Sequence, residues 1–344
     1  MDSIQSAIPY YTAPISVIAN TFLIFLIIFK SPPQMGNYKY LLIGVSIFEI
    51  LYGLLDIVTE AVKQPFRFYN SFFQTVLSIG PSFVVVVPYK DRFFGKEVAR
   101  IFNCLYCGFF GFSMGMFVII FAYRLLVATE NSLLKKFQGA KILLWFGYPM
   151  FYLLVFGAVA WFPYSPSPEM DEFISFSLIE RLNMTLDEVV YTGPLYYSPA
   201  NDSIRYDTLI VSLLQLFLVV SSLILVLFFG IKCYFYIMKF AYIQDSISIK
   251  MKNLQKQLFF ALVFQALVPL VLMHIPVTIL YSFSLLNIVF SSFSVATTIA
   301  LFPALDPFPT IFIVKTYRLA IFDFFQHFFK CLRKKLCEFS AGND

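Results

Sequence analysis

The chain has 344 residues, 59% of them hydrophobic and only 13% charged, with a net charge of +5. Soluble domains carry about 25% charged residues, so this composition excludes an ordinary soluble protein and indicates one that lives in a bilayer. No polar segment looks long enough to bury a core of its own, and we expect no nucleic-acid partner.

Seven apolar runs are long enough to cross a membrane, which takes about 20 helical residues for a hydrocarbon core about 30 Å thick. Because a bilayer offers backbone groups no water, each run must form a helix. The expected fold is an all-α membrane protein, a single seven-transmembrane helix bundle over 1–344. The runs lie at 8–29, 40–62, 99–123, 142–163, 208–231, 258–281 and 287–314.

Basic residues indicate the orientation of the bundle. If the N-terminus is outside, the cytoplasmic segments hold 17 of the 25 Lys and Arg residues, in line with the positive-inside rule. The segment 164–206 is then a long acidic extracellular loop, and it carries glycosylation sequons at Asn183 and Asn201. Such sequons are used only on the lumenal side, which supports an N-terminus outside and a cytoplasmic C-terminus.

The second run contains three acidic residues, Glu49, Asp56 and Glu60, on one helical stripe. Ionisable groups inside a membrane are expensive and usually face the bundle or a water-filled cavity. They either form a cation or proton path or a ligand-contacting rim, or have a structural role. In the structural interpretation, which we favour, Glu49 is uncharged or hydrogen-bonded within the bundle while Asp56 and Glu60 reach the outer interface.

The uncharged stretch 68–89 has the length of an eighth span. A span here would reverse everything downstream and put both sequons in the cytoplasm. Its polar residues and the β-branched run at 84–87 instead suit a short strand. We therefore expect a structured extracellular loop, a hairpin lying over the bundle.

The third run has notable residues at both ends. Cys104 and Cys107 share a helical face at the outer end, but 164–206 contains no cysteine to bridge to them, so we interpret both as buried small apolar residues. Tyr123 and Arg124 close the cytoplasmic end. Arg124 either pairs within the bundle in one state and swings out to a partner in another, or is an ordinary snorkelling anchor.

Prolines interrupt the inner end of the seventh run at Pro303, Pro307 and Pro309, with Asp306 among them. Prolines remove backbone donors and weaken a helix, while a buried Asp306 can accept the freed groups or pair with a cation. The pattern predicts a hinge, although prolines are common in membrane helices.

The tail 315–344 has apolar residues at 321, 325, 328, 332 and 336, beside several basic residues. This spacing predicts an interfacial amphipathic helix that is attracted to anionic lipid. Cys331 and Cys337 lie on this helix and are candidates for palmitoylation.

Little in the chain predicts chemistry. The two histidines, His274 and His327, make a metal site implausible, and we find no glycine-rich phosphate loop or converging catalytic triad. We therefore expect neither an enzyme nor a cofactor.

Short motifs spread over almost the whole chain resemble the nematode seven-helix chemoreceptors of serpentine receptor class r, the Str group that includes the diacetyl-odorant type. The motifs are MGNYKYL (35–41), SIFEI (46–50), CGFFGFSM (107–114) with YR (123–124), QALVP (265–269) with IP (275–276), and PALDP (303–307) with YR (317–318). The resemblance implies a G-protein-coupled chemoreceptor in the plasma membrane of sensory cilia. It also implies that Tyr123, Arg124 and the prolines of the seventh run belong to the activation machinery, and that Glu49 has a structural or switching role.

A receptor of this kind binds a ligand in the outer half of the bundle and a heterotrimeric G protein at the cytoplasmic face, through a shift between two bundle states. The apolar, aromatic composition suggests a small, uncharged ligand. Depth and polarity give candidate contacts, each of which could equally pack between helices. They are Asn103, Tyr106 and Ser113 in the third run, Gln215 in the fifth, and His274 and Tyr281 in the sixth.

A ligand-gated ion channel or a transporter is the alternative. Insect-type odorant channels also have seven helices but an N-terminus inside, opposite to the orientation expected here. A transporter should show paired broken helices in related halves, and the chain shows none. A scaffold or escort protein is a third possibility, without a large soluble interaction domain to support it.

Overall fold

The computed structural model describes residues 2–60, 75–90, 92–137, 141–198, 201, 203–243, 249–288 and 293–341, with side chains from 11 to 330 apart from short gaps. The elements are α1 (Asp2–Lys30), α2 (Tyr38–Glu60), β1 (Thr75–Ile79), β2 (Ser82–Pro88), α3 (Lys96–Ala128), α4 (Ile142–Trp145), α5 (Gly147–Trp161), α6 (Pro168–Leu182), β3 (Val189–Thr192), α7 (Tyr206–Ile243), α8 (Ile249–Pro269), α9 (Ile275–Leu285), α10 (Phe293–Leu305), α11 (Pro307–Ile313) and α12 (Lys315–Ala341). Short 3₁₀ helices occupy Pro33–Met35, Ser132–Phe137 and Leu186–Glu188, and a π-helical segment, Leu270–His274, joins α8 to α9.

Six of the described helical segments are long and apolar enough to cross a membrane, and a seventh is a bent pair that turns by 90° between α11 and α12. α4 and α5 together make the fourth span, and α8 and α9 the sixth. Helices α3 and α7 run past the predicted ends at 123 and 231, to Ala128 and Ile243.

α3 lies at the centre of the bundle, in contact with α2, α5, α7 and α8. Its glycines allow α5 to approach closely. A Cβ added at Gly115 would lie 2.6 Å from the Cα of Pro149, and one at Gly111 would lie 2.9 Å from the carbonyl oxygen of Tyr152. These two helices therefore touch backbone to backbone near the middle of α3.

The predicted hairpin is confirmed over the described part of its stretch, and 68–74 lies outside the described residues. β1 and β2 pair antiparallel around a turn in which Gly80 has φ +53°, a conformation that favours glycine. β2 is buried on both faces. Phe83 and Val85 face the core of the bundle, whereas Val84 faces a second apolar core.

The segment 164–206, which is expected to be a loop, contains α6 and β3, and these share an apolar core with the hairpin rather than forming one of their own. β3 pairs with β2, and α6 packs on the sheet. α6 begins at the N-cap Ser167, ends at Asn183 in the left-handed conformation, and buries every fourth residue. Those residues are Met170, Ile174, Leu178 and Leu182. Neither segment has enough apolar surface alone, and the hairpin supplies the other half.

Polar contacts fasten the sheet to the bundle. Asn103 of α3 donates from Nδ2 to the carbonyl oxygen of Val85 at 3.1 Å. Thr192 of β3 donates from Oγ1 to the carbonyl oxygen of Ala160 at 2.8 Å. Cys104 and Cys107 are free thiols, so these two residues do not tether the sheet covalently.

Candidate functional site

A cavity of about 70 Å³ lies beneath the sheet, among α3, α5, α7, α9 and α10. All three strands contribute side chains, so the sheet forms the roof of the cavity. The lining residues are Val76, Phe83, Val85, Tyr106, Cys107, Phe110, Phe156, Ala160, Tyr164, Thr192, Gln215, Val277, Leu280, Tyr281, Val295 and Ile299.

One amide donor faces this cavity. Gln215, only 3% exposed, accepts a hydrogen bond on Oε1 from the Tyr281 hydroxyl at 2.8 Å. No hydrogen bond from its Nε2 is found within the described residues, and Gln215 is among the residues that line the cavity. The Tyr164 hydroxyl is already bound to Ser212 Oγ, which donates to the Thr208 carbonyl oxygen at 2.8 Å. The Gln215 amide is therefore a hydrogen-bond donor available on the cavity wall.

The remaining wall is apolar and largely aromatic. The rings of Phe83 and Tyr281 meet edge to face with centroids 4.9 Å apart, and those of Phe110 and Phe156 lie 5.7 Å apart. None of the described lining residues is charged. A charged ligand group would lose its hydration here without gaining a partner, so the cavity suits an uncharged molecule.

Three of the six predicted ligand contacts, Tyr106, Gln215 and Tyr281, line the cavity. Tyr106 packs edge-on against Tyr52 of α2 with ring centroids 5.4 Å apart. A second layer of aromatic side chains therefore backs this part of the wall.

The other three predicted contacts support the scaffold instead. Asn103 holds the hairpin through Val85, and Ser113 donates to the carbonyl oxygen three residues earlier at 2.7 Å. His274 ends the π-helical segment, with Nε2 3.5 Å from the Ser222 hydroxyl. Helical spacing gives the depth of a residue, but does not show which neighbour fills the space beside it.

Sequence reasoning missed the cavity residues that the sheet supplies. Val76, Phe83, Val85 and Thr192 come from two segments about 110 residues apart that meet only through strand pairing. The one usable signal was the β-branched run around Val85, which predicted a strand but not its place over the bundle.

At the other end of α3, Arg124 is buried, with 3% exposure. Its guanidinium carbon lies 3.5 Å from the centre of the Tyr38 ring, which stacks on Tyr123 at 5.7 Å. Nη1 donates to Gln255 Oε1 of α8 at 3.3 Å, whereas Nε and Nη2 have no hydrogen-bond partner in the described part of the chain. The guanidinium is therefore held by one ring and one long hydrogen bond.

The predicted proline break lies at Asp306, between α10 and α11. Pro307 has no N–H, so the carbonyl oxygen of Pro303, one turn earlier, loses its helical partner. Asn20 of α1 donates to that oxygen from Nδ2 at 3.0 Å. A side chain from another helix thus replaces the lost backbone hydrogen bond.

Two buried acidic residues meet beside this break. Glu49 of α2 interacts with Asp306, and Gln265 of α8 donates from Nε2 to Asp306 Oδ2 at 3.0 Å. Ser16 of α1 donates to the Glu49 carbonyl oxygen at 3.3 Å. This polar network joins α1, α2, α8 and the seventh span, between the cavity and Arg124.

The other predicted positions lie outside the cavity, the contacts of Arg124 and the polar network at Asp306. Asp56 is buried beside Tyr52. Asn183 and Asn201 are exposed. The side chains of Glu60, Cys331 and Cys337 lie outside the described residues.

The bundle defines a class of protein. The crystal structure of squid rhodopsin has a similar fold, with a TM-score of 0.60 at 12% sequence identity, covering 96% of this chain and 88% of that chain. At this identity the likeness shows the fold alone, a seven-transmembrane helix bundle.

The sequence comparisons give the family. The family model for the serpentine type 7TM GPCR chemoreceptor Str matches residues 5–322, and the chain belongs to this family. It is 59% identical over 320 residues to G-protein coupled receptor str-217 of Caenorhabditis elegans, covering 93% of this chain and 89% of that protein. Serpentine receptor class r-10 of Caenorhabditis briggsae is 25% identical over 307 residues, 88% of this chain and 83% of that one. The protein is thus a G-protein-coupled chemoreceptor, from a family of membrane receptors and not of enzymes.

Proposed function

We propose that this chemoreceptor binds a small, uncharged molecule in the cavity under the sheet. The observation that carries the proposal is the Gln215 amide, a nearly buried donor without a partner in an uncharged wall. An unpaired buried donor costs about 1–3 kcal/mol. A ligand with a hydrogen-bond acceptor should therefore bind more tightly than an apolar analogue of equal shape. One water needs about 10–15 Å³ on this measure, so a cavity of about 70 Å³ favours a compact ligand.

In this proposal the ligand favours a bundle state in which the inner ends of α3, α7 and α8 part. Separation of α8 from α3 breaks the contact between Arg124 and Gln255 and releases a guanidinium that has two unused donors. A heterotrimeric G protein then binds at this end. The Asp306 break and its prolines act as the hinge, and Tyr123 supports the ring under Arg124.

The proposed orientation puts the sheet and the N-terminus outside and the C-terminus in the cytoplasm, at the plasma membrane of a sensory cilium. The exposed Phe322, Phe324 and Phe325 of α12 support an interfacial position for that helix after its 90° turn. Glycosylation of Asn183 and Asn201, palmitoylation of Cys331 and Cys337, and the absence of catalytic activity belong to the same proposal.

The proposal is tested in cells with panels of compact uncharged compounds, read by second messenger and by membrane current. Gln215→Leu should raise the half-maximal concentration of an acceptor-bearing agonist about tenfold, because one hydrogen bond is lost. Gln326→Leu, the same change on exposed α12, is the matched control and should leave the response unchanged at equal surface expression.

The readouts also separate the alternatives. A second-messenger response that is lost on G-protein blockade is the expected result. A current that persists under the blockade would show a ligand-gated channel. An agonist whose potency is insensitive to Gln215→Leu, but sensitive to changes elsewhere, would put the ligand outside this cavity.

A further inference from the structure

A second concave surface lies between α3 and α5, on the side of these helices away from the ligand cavity. It is a groove of about 300 Å³, lined by apolar side chains and by the small residues Cys104, Gly157 and Ala158. Leu105 and Leu154, on its two edges, are exposed. The exposed apolar side chains of a membrane span face lipid, so the groove opens to the bilayer.

The two helices diverge to form this groove. The heavy atom nearest to an added Cβ lies at 2.6 Å for Gly115, 3.0 Å for Gly108 and 3.6 Å for Gly157. Backbone contact in the middle of α3 thus relaxes to ordinary separation toward the sheet end. Gly157 and Ala158 carry no large side chain that could fill the space between the helices there, so the groove is open.

A fixed positive charge stands at the end of the groove. Arg100 lies with its guanidinium carbon 4.2 Å from the centre of the Trp161 ring, and donates from Nη2 to the Trp161 carbonyl oxygen at 3.0 Å. Arg100 lies one helical turn before Cys104, which lines the groove. None of the ion pairs among the described residues involves Arg100.

We propose that a membrane glycerophospholipid binds here, with its phosphate against Arg100 and an acyl chain in the groove. Trp and Arg at the end of a span stand at the level of the lipid headgroups, where a phosphate supplies the missing anion. From Trp161 the groove runs down α5 to Leu153, a length of about 12 Å at 1.5 Å per residue, which suits an extended chain. Phe156 and Ala160 of the same helix line the ligand cavity, so the bound lipid supports the wall of that cavity from behind.

The test is photolabelling of the purified receptor in nanodiscs with a phosphatidylcholine that carries a diazirine on its acyl chain. Adducts are mapped by peptide mass spectrometry. We expect them to concentrate at 101–105 and 153–162, above the level on the lipid-facing residues Leu213 and Leu214 of α7. Even labelling of all lipid-facing helices would mean bulk solvation and would overturn the proposal without any variant.

Two variants separate the parts of the site. Ala158→Trp, or Gly157→Leu if that receptor does not fold, fills the groove and should reduce its labelling to the level on α7. Arg100→Gln should raise the phospholipid concentration needed to compete with the probe about tenfold, through loss of a charge-assisted contact. Lys232→Gln is the matched control, since Lys232 also lies over a ring, at 4.3 Å from that of Phe228, but outside the groove. A sterol probe that labels the groove and displaces the phospholipid would show a different occupant.

Discussion

The two ends of this receptor are closed by different kinds of contact. At the sheet end, three paired strands and an apolar core shared with α6 cover the cavity. At the other end, a buried guanidinium is held by the Tyr38 ring and by one 3.3 Å hydrogen bond that it donates to Gln255. Paired strands and packed cores open as cooperative units. A single side-chain contact, in contrast, can break while the rest of the structure stays unchanged. The comparison indicates a rigid roof over the cavity and an opposite end whose contacts can change.

The seventh span connects these two ends. Val295 and Ile299 of α10 line the cavity, and about two turns further the chain reaches the break at Asp306. There the Asn20 hydrogen bond holds the chain to α1, and Glu49 of α2 lies beside Asp306. A physical coupling needs an element with two arrangements that both sites bias, and a broken helix in a polar network is such an element.

The largest expected effect comes from damage to the roof. A Cβ at Gly193 would lie 2.0 Å from the carbonyl oxygen of Phe83 and 3.0 Å from the Cα of Val84, so Gly193→Val must push β3 off β2. We expect a fall in melting temperature of about 5–10 °C and a large loss of surface expression. Thermal unfolding of the purified receptor and cell-surface labelling measure both.

Gly147→Ala is the matched control for this change, because nothing lies within 4 Å of a Cβ added there. It should leave both quantities unchanged. A Gly193→Val receptor with normal melting and expression would show that the roof is not the rigid part of the molecule.

The next effect concerns the other end. Tyr38→Leu removes the ring under the Arg124 guanidinium, a contact of about 2 kcal/mol when desolvated. If that contact holds the inactive state, signalling without agonist should rise about tenfold. Second-messenger assays at matched surface expression measure it.

Phe228→Leu is the control, since Phe228 also lies under a cation, Lys232, but is exposed on α7. It should leave basal signalling unchanged. If Tyr38→Leu leaves basal signalling equally low, the Arg124 cluster does not restrain the receptor, and the contrast between the two ends is lost.

Local patterns in the sequence predicted the bundle well. Long apolar runs are set by membrane thickness alone, so the spans follow from the sequence without knowledge of their neighbours. The hairpin could also be predicted, because the β-branched run around Val85 has a local preference. The α6 core could not, because Ile174 and Leu178 become core residues only when a distant hairpin covers them.

The candidate site shows the same division. Tyr106, Gln215 and Tyr281 lie on the helix faces that depth and polarity indicated, and they line the cavity. Asn103 has a similar depth, yet the inserted hairpin takes its amide. The partners of Arg124 were also hidden, because a ring on α2 and an amide on α8 meet it only in the folded bundle.

The smallest expected effect separates the exposed contacts of the roof from its core. Lys90 donates to Glu188 Oε1 at 2.7 Å, and the backbone N–H of Thr185 donates to Oε2 at 3.1 Å. The hydrogen bond from Lys90 and, to a smaller extent, the one from Thr185 lower the pKa of the Glu188 carboxyl below its usual value. A lowered pKa stabilises the folded state above the ordinary pKa of about 4.3, and this stabilisation is lost as the pH falls through the lowered value.

Glu188→Gln should therefore lower the melting temperature by about 1–2 °C at pH 7, because an exposed ion pair contributes at most about 1 kcal/mol. The difference from the parent protein should shrink below about pH 4. Glu172→Gln, an equal change of charge on the exposed side of α6, is the matched control and should leave the melting temperature at pH 7 unchanged. A loss as large as that of Gly193→Val would mean that an exposed ion pair, and not strand pairing and the buried core, holds the roof together.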